Sequence, residues 1–139
     1  MGSIDLDPAS CEFANDTVQA KNIYTIDHDG LKQRWYGNVW LNPPYSSSLI
    51  GKFAEKLVKS KDDIDQAIVL VNNATETKWF NNLIGVASAV VFPKSRVKFY
   101  MKSGKNGSPL QGQAIIYVGD NPQRFLDVFS NYGWGATLQ

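Results

Sequence analysis

The run Gln66-Ala67-Ile68-Val69-Leu70-Val71 limits what this chain can become more than any other stretch. A continuous, β-rich apolar segment of strand length fits a strand with both faces buried, and such strands sit in sheets covered by helices. Asn72-Asn73-Ala74-Thr75 ends it in a polar turn, with Thr75 placed to cap a following helix that carries Trp79, Phe80, Leu83 and Ile84 inward. Ser88 to Phe92 then reads as another strand. Upstream, Ser46-Ser47-Ser48 supplies a cap for a helix whose Leu49, Ile50, Phe53, Leu57 and Val58 share one face, while Gly51 and Lys52 fall off it. Lys59 to Asp65 reads as a charged surface loop. Ile4 to Ser10 is a short strand that breaks into a helix start, with Pro8 or Ser10 near the cap, and Lys21 to Thr25 is a second short strand. This alternation predicts an α/β domain with a mostly parallel sheet. Gln113 to Val118 is a further strand, expected to form a C-terminal antiparallel hairpin with Val97 to Met101 across the loop Lys102 to Ser108. Asn121-Pro122 opens a last helix with Phe125, Leu126 and Phe129 inward, ending at Gly133.

With 139 residues and 43% hydrophobic content, the whole chain reads as a single domain around one core. A net charge of +1 exerts no global pull on nucleic acid, so any contact with DNA must come from a local patch. Cys11 is the only cysteine, which excludes an internal disulfide and a cysteine-based zinc site and fits a reducing cytoplasm. No run is long and apolar enough to cross a membrane, and no signal peptide is evident.

The chemistry gathers where Val39-Trp40-Leu41 meets Asn42-Pro43-Pro44-Tyr45. Two successive prolines cannot continue a sheet, since each lacks an N–H and holds φ near −65°. The result is a stiff elbow that presents an amide (Asn42), a carbonyl (Pro43) and an aromatic ring (Tyr45) at one point, as a planar amine requires. The same residues also make an ordinary strand-ending turn with nothing bound. Asp7, at the mouth of the first strand, suits a cationic ligand group or simply satisfies a helix dipole. Asp27 and Asp29 can accept from a ribose hydroxyl or a base amine, although Asp29-Gly30 is equally plain turn chemistry. His28 is given no role, and Trp35 and Trp40 are read as packing residues. In an open α/β sheet ligands sit outside the strand C-termini, where Asp7, Asp29, Asn42 and Asn72 would gather.

Charge is unevenly placed. From Met1 to Asp29 the only basic residue is Lys21, against Asp5, Asp7, Glu12, Asp16, Asp27 and Asp29. Between Glu76 and Asp120 there is no acid, while Lys78, Lys94, Arg96, Lys98, Lys102 and Lys105 lie there. Lys94, Arg96 and Lys98 alternate and would share a strand face, which either meets phosphates or serves as a solvated edge that discourages aggregation.

The four-residue corner is similar to the signature of the amino-methyltransferases that use S-adenosylmethionine, (Asp/Asn)-Pro-Pro-(Tyr/Phe/Trp) after a strand. Asp7-Pro8-Ala9-Ser10 is similar to the opening of their first cofactor motif, Asp-Pro-x-x-Gly-x-Gly, with Cys11-Glu12-Phe13 where glycines usually stand. The wider succession Ile4 to Ser10, Asp29-Gly30-Leu31, Trp35, Gly37, Asn42 to Tyr45, Trp79-Phe80, Phe92-Pro93, Arg96, Phe99 and Arg124-Phe125 resembles the small phage-type DNA N6-adenine methyltransferases over nearly the whole chain. The resemblance implies a Rossmann-like methyltransferase fold, here reduced at the N-terminus, S-adenosylmethionine as cofactor, and double-stranded DNA as partner in the bacterial host cytoplasm. It implies that Asn42, Pro43, Pro44 and Tyr45 hold a flipped adenine and that Asp7 and Asp29, with Asp5 and Ala9 beside them, lie at the cofactor, while the charge pattern offers Lys94, Arg96, Lys98, Lys102 and Lys105 to DNA. Two alternatives stand beside it. One is a DNA-binding or interaction module that kept the fold without turnover; the other is an amino-methyltransferase acting on cytosine N4 or a protein glutamine.

Overall fold

The computed structural model describes residues 2–95, 99–100, 106–107 and 112–138. Strands β1 (Leu6–Asp7), β2 (Asn22–Ile23), β3 (Gly37–Leu41), β4 (Ile64–Asn72), β5 (Ala89–Pro93), β8 (Gln113–Val118) and β9 (Gly133–Thr137) form one sheet in the order β2-β1-β3-β4-β8-β5-β9. Helices α1 (Glu12–Val18), α2 (Ser47–Lys59), α3 (Lys78–Val86) and α4 (Pro122–Phe129) connect them. A separate pair, β6 (Phe99–Tyr100) and β7 (Asn106–Gly107), is antiparallel.

The junctions from β2 through β1 and β3 to β4 are parallel, whereas those from β4 through β8 and β5 to β9 are antiparallel. The expected mostly parallel sheet is therefore corrected to an evenly mixed one. The α3 crossover carries the chain from β4 to β5 and leaves one slot between them. The chain then leaves β5 at Pro93 and enters β8 at Gln113 on the same sheet edge, with no helix described between them to carry it to the other edge, so β8 fills the slot running backwards. The expected hairpin of Gln113 to Val118 with Val97 to Met101 is corrected likewise. Phe99–Tyr100 pairs with Asn106–Gly107, and the fully buried Gln113–Val118 is an interior strand.

The central run behaves as its composition requires. Ala67, Val69 and Val71 pack toward α2 and α3 with Val39, Leu41, Phe53, Leu57, Phe80, Leu83 and Ile116, while Ile68 and Leu70 face α4 with Val91, Ile115, Tyr117 and Phe125. Each such aliphatic side chain removed from water contributes about 1.5–3 kcal/mol before entropy is counted.

Two local expectations are corrected and one is sharpened. Helix α1 is capped by Cys11, the residue after Ser10, its Sγ accepting from Ala14 N at 3.4 Å, while Pro8 lies in the preceding turn. Thr77 rather than Thr75 caps α3, its Oγ1 accepting from Phe80 N at 3.3 Å, since the turn closed by Thr77 N on Ala74 O leaves Thr75 two residues ahead of the cap. Lys59 to Asp65 is no loop: Lys59 closes α2, Lys61–Asp63 is a 3-10 turn and Ile64 begins β4. Strand β9 has no counterpart in the sequence reading, because Gly133-Trp134-Gly135 looks like loop chemistry. A Cβ on Gly135 would stand 2.5 Å from Val90 O, so glycine is what lets β9 close on β5.

One irregularity matters for the site. Gly37 pairs with Ile64 but Asn38 with Gln66, so Asp65 is an extra residue in β4. Gly37 takes φ 68°, and on the β1 side of β3 Asp5 accepts from Asn38 N at 2.8 Å through Oδ2.

Candidate active site

Because β1, β3 and β4 are parallel, their C-terminal residues Asp7, Leu41 and Asn72 share one edge, and the antiparallel β8 begins there with Gln113. Beyond Leu41 the chain leaves the sheet as Asn42-Pro43-Pro44-Tyr45, with Pro43 buried, Pro44 exposed, and Asn42 and Tyr45 half-buried. Tyr45 folds back so that its hydroxyl lies 3.1 Å from Asn42 Oδ1 and 3.1 Å from Leu70 O. Gln113 Nε2 donates to the same hydroxyl at 2.9 Å. A phenol has one proton, so Asn42 and Leu70 compete for it. Burial pushes the Tyr45 phenol well above its usual range, only partly offset by the Gln113 bond, which keeps it a neutral donor at any working pH. Asn42 Oδ1 has two lone pairs, so one stays available to an incoming N–H.

Beside this corner lies a hollow of about 210 Å³ whose walls include Pro8, Ala9, Tyr24, Ile26, Leu31, Pro44 and Phe53, with Asp29 among the lining residues. Its lining is mostly apolar, and its volume is below the ~300–1,000 Å³ usual for a whole ligand, so it suits one flat part of a larger molecule. Gly30 packs on Pro8 with no room for a Cβ between them. Trp35, wholly buried, donates its indole N–H to Gly30 O at 2.8 Å and stacks on Phe53, which holds the Gly30 loop as packing rather than as a binding surface.

The other expected residues fall into distinct places. Asp7 is 3% exposed, and its Oδ1 accepts from Ala9 N at 3.2 Å. Burial raises its carboxyl to about 6, against smaller lowering by the Ala9 N–H and the Ser10 side chain. Asp7 thus sits behind the Pro8-Ala9 wall rather than in it. Asp29 is exposed in a left-handed backbone conformation and pairs with Lys32 at 3.8 Å. Asp27 is exposed and His28 Nδ1 accepts from Thr25 N within the turn. Asp5 is not brought to this edge: it precedes β1 and engages Asn38 near the start of β3 and Lys21 at 3.5 Å. Lys94 is exposed at the site edge just beyond β5, its N–H bonded to Tyr132 O at 2.9 Å. Arg96, Lys98, Lys102 and Lys105 lie outside the described residues.

Sequence reasoning missed Gln113. Its side chain is 3% exposed, and its Oε1 is the buried side-chain polar atom left without a partner among the described residues. An orphaned acceptor of this kind costs about 1–3 kcal/mol. The available signal was an amide at the head of an otherwise apolar strand.

Comparison with known proteins bears on the same residues. Residues 1–121 match the family model described as DNA N-6-adenine-methyltransferase (Dam), a span that includes Asp7, Asn42 to Tyr45 and Gln113. The DNA N-6-adenine-methyltransferase of Haemophilus phage HP1 (strain HP1c1) is 28% identical over 102 residues, covering 70% of this chain and 56% of that protein. That of Escherichia phage T1 is 31% identical over 94 residues, covering 66% of this chain and 37% of that protein. The chain thus spans about half the length of these relatives or less. Among the described residues no helix is long and apolar enough to cross a membrane.

Proposed function

This chain belongs to the DNA N-6-adenine-methyltransferase (Dam) family, and on that premise we propose that it methylates the N6 amine of adenine in double-stranded DNA with S-adenosylmethionine as donor. The observation that carries this reading is the adjacency of two things: an amide acceptor fixed at a strand end, and a mostly apolar hollow that has Pro44 of the same corner as a wall.

The donor supplies a methyl group made electrophilic by a sulfonium centre. Ala9, Tyr24, Ile26 and Leu31 would hold its flat nucleoside part, and Asp29 would be the carboxylate to accept from ribose hydroxyls. On the acceptor side, an adenine taken out of the helix enters at Asn42. The Asn42 Oδ1 and the Pro43 carbonyl each accept one N–H of its amine, so positive charge developing on nitrogen meets preorganised dipoles. The half-buried Tyr45 ring, tied down by its hydroxyl, fixes the plane of the base. No general base is needed before attack, because the amine proton becomes acidic only once the methyl has moved; positioning supplies most of the rate. Lys94, exposed just beyond β5, is the described basic residue placed to meet the phosphate backbone.

Incubation with labelled S-adenosylmethionine and adenine-containing DNA tests the reading, with Asn42→Ala as control. Label must enter DNA with the native protein, appear as N6-methyladenine on nucleoside mass analysis, and fail to enter with the variant. N4-methylcytosine would reassign the acceptor. Salt-sensitive DNA binding with no heat of binding from S-adenosylmethionine would make the chain a binding module.

A further inference from the structure

Gln113 stands out among groups that the proposed reaction does not use. It is buried at the head of β8, where every following residue to Val118 is buried too, and its Oε1 is left unsatisfied among the described residues. Packing alone would favour an apolar residue there. What the amide does make is a 2.9 Å bond from Nε2 to Tyr45 Oη, with a longer approach of 3.5 Å to Asn72 Oδ1. Tyr45 in turn reaches Asn42 Oδ1 and Leu70 O at equal distance.

We propose that Gln113 is a positioning residue, which by donating to the Tyr45 hydroxyl turns that hydroxyl's proton toward the acceptors Asn42 Oδ1 and Leu70 O and so favours the Asn42 orientation whose amide oxygen faces Tyr45. The hydrogen-bonding groups limit the alternatives. Nε2 offers only N–H, so it occupies a lone pair of the phenol oxygen and the phenolic proton must point away from Gln113, toward Asn42 or Leu70. An amide oxygen that accepts from Tyr45 is distinguished from its own NH2, and the Asn42 side chain cannot turn over without losing that bond. Turning the Gln113 amide over would have the opposite effect, because an acceptor facing Tyr45 would draw the proton off Asn42. The Gln113–Tyr45–Asn42 chain links the first antiparallel strand to the elbow that follows β3. This inference rests on the proposed methyl transfer only for its effect on rate; the orientation of Asn42 is a property of the protein alone.

The test is a double-mutant cycle with two readouts. Gln113→Met removes the donor with similar bulk, Gln113→Glu replaces it with an acceptor, and each is combined with Tyr45→Phe. In the protein without ligands, the Asn42 side-chain NH2 resonances should shift or broaden with either Gln113 variant and should not respond to Gln113→Met once Tyr45 is Phe. In turnover, Gln113→Met should lower kcat about tenfold with KM for both substrates little changed, and the loss should vanish in the Tyr45→Phe background. Equal losses in both backgrounds, or an Asn42 signal indifferent to Gln113, would overturn the proposal. An inactive native protein whose Asn42 signal still follows Gln113 through Tyr45 would overturn the methyltransferase reading and leave this one standing. Should Gln113→Met not fold, Gln113→Glu carries the same comparison.

Discussion

From β2 to β4 the sheet is parallel, and its strands end where Asp7, Asn42 and Asn72 leave the sheet; from β8 to β9 it is antiparallel, and two strands begin at that edge. The parallel half delivers the carboxylate and the amide by ending strands at the edge. The antiparallel half delivers by starting them, and what it sends is a support: Gln113 beneath Tyr45, and Tyr132 beside Lys94. A rule that looks for function only past strand C-termini finds the first set and passes over the second.

If this division is real, substitutions in the two halves should part company. Asn42→Ala is expected to reduce methyl transfer by about 100- to 1,000-fold, the loss typical of one transition-state partner, while the melting temperature stays close to that of the native protein. Retained activity would mean that the elbow does not hold the amine. Ile116→Ala, in β8 and wholly buried, should cost about 2–5 kcal/mol in denaturant unfolding. Under conditions where both proteins are folded it should leave KM nearly unchanged; a specific loss of turnover would blur the two halves.

Asp7 sharpens the comparison through pH. Its folded value of about 6 lies above the ordinary 3.8, so the native state holds the proton more tightly. Below pH 4 there is no penalty; as pH rises from about 4 to 6 stability falls, and above 6 a cost on the order of 3 kcal/mol is complete. Asp7→Asn should flatten that slope in melting temperatures taken from pH 4 to 8. If the variant keeps the slope, Asp7 is not its source. Lys94→Ala should have the smallest effect, lowering the slope of log Kd against log salt for DNA by about one. An unchanged slope would remove Lys94 from the DNA face.

Much of this was legible before any coordinates. Gln66 to Val71 announces a two-sided strand because nothing in it can face water, and Asn42 to Tyr45 announces an elbow because proline forbids anything else. What stayed hidden has physical causes. The direction of β8 depends on where the chain re-enters the sheet, which no property of Gln113 to Val118 encodes. Glycines in β9 serve close approach, which from sequence cannot be told from a loop. Asp5 and Asp7, two residues apart in one acidic stretch, part at the strand: one goes to the far end of the sheet and the other into the protein beside the hollow. Gln113 was unremarkable as a residue type, and only the buried surroundings give its amide a task.

The clamp of Asp5 on Asn38 has a consequence well beyond its own end of the sheet. Side chains alternate along a strand, so slipping β3 by a single position against β1 would send Val39 and Leu41 to the opposite layer and turn the proline elbow with them. An acid first assigned to a ligand thus acts as an indexing pin, and a lesion there would leave every reacting group intact and aimed at the wrong side of the protein.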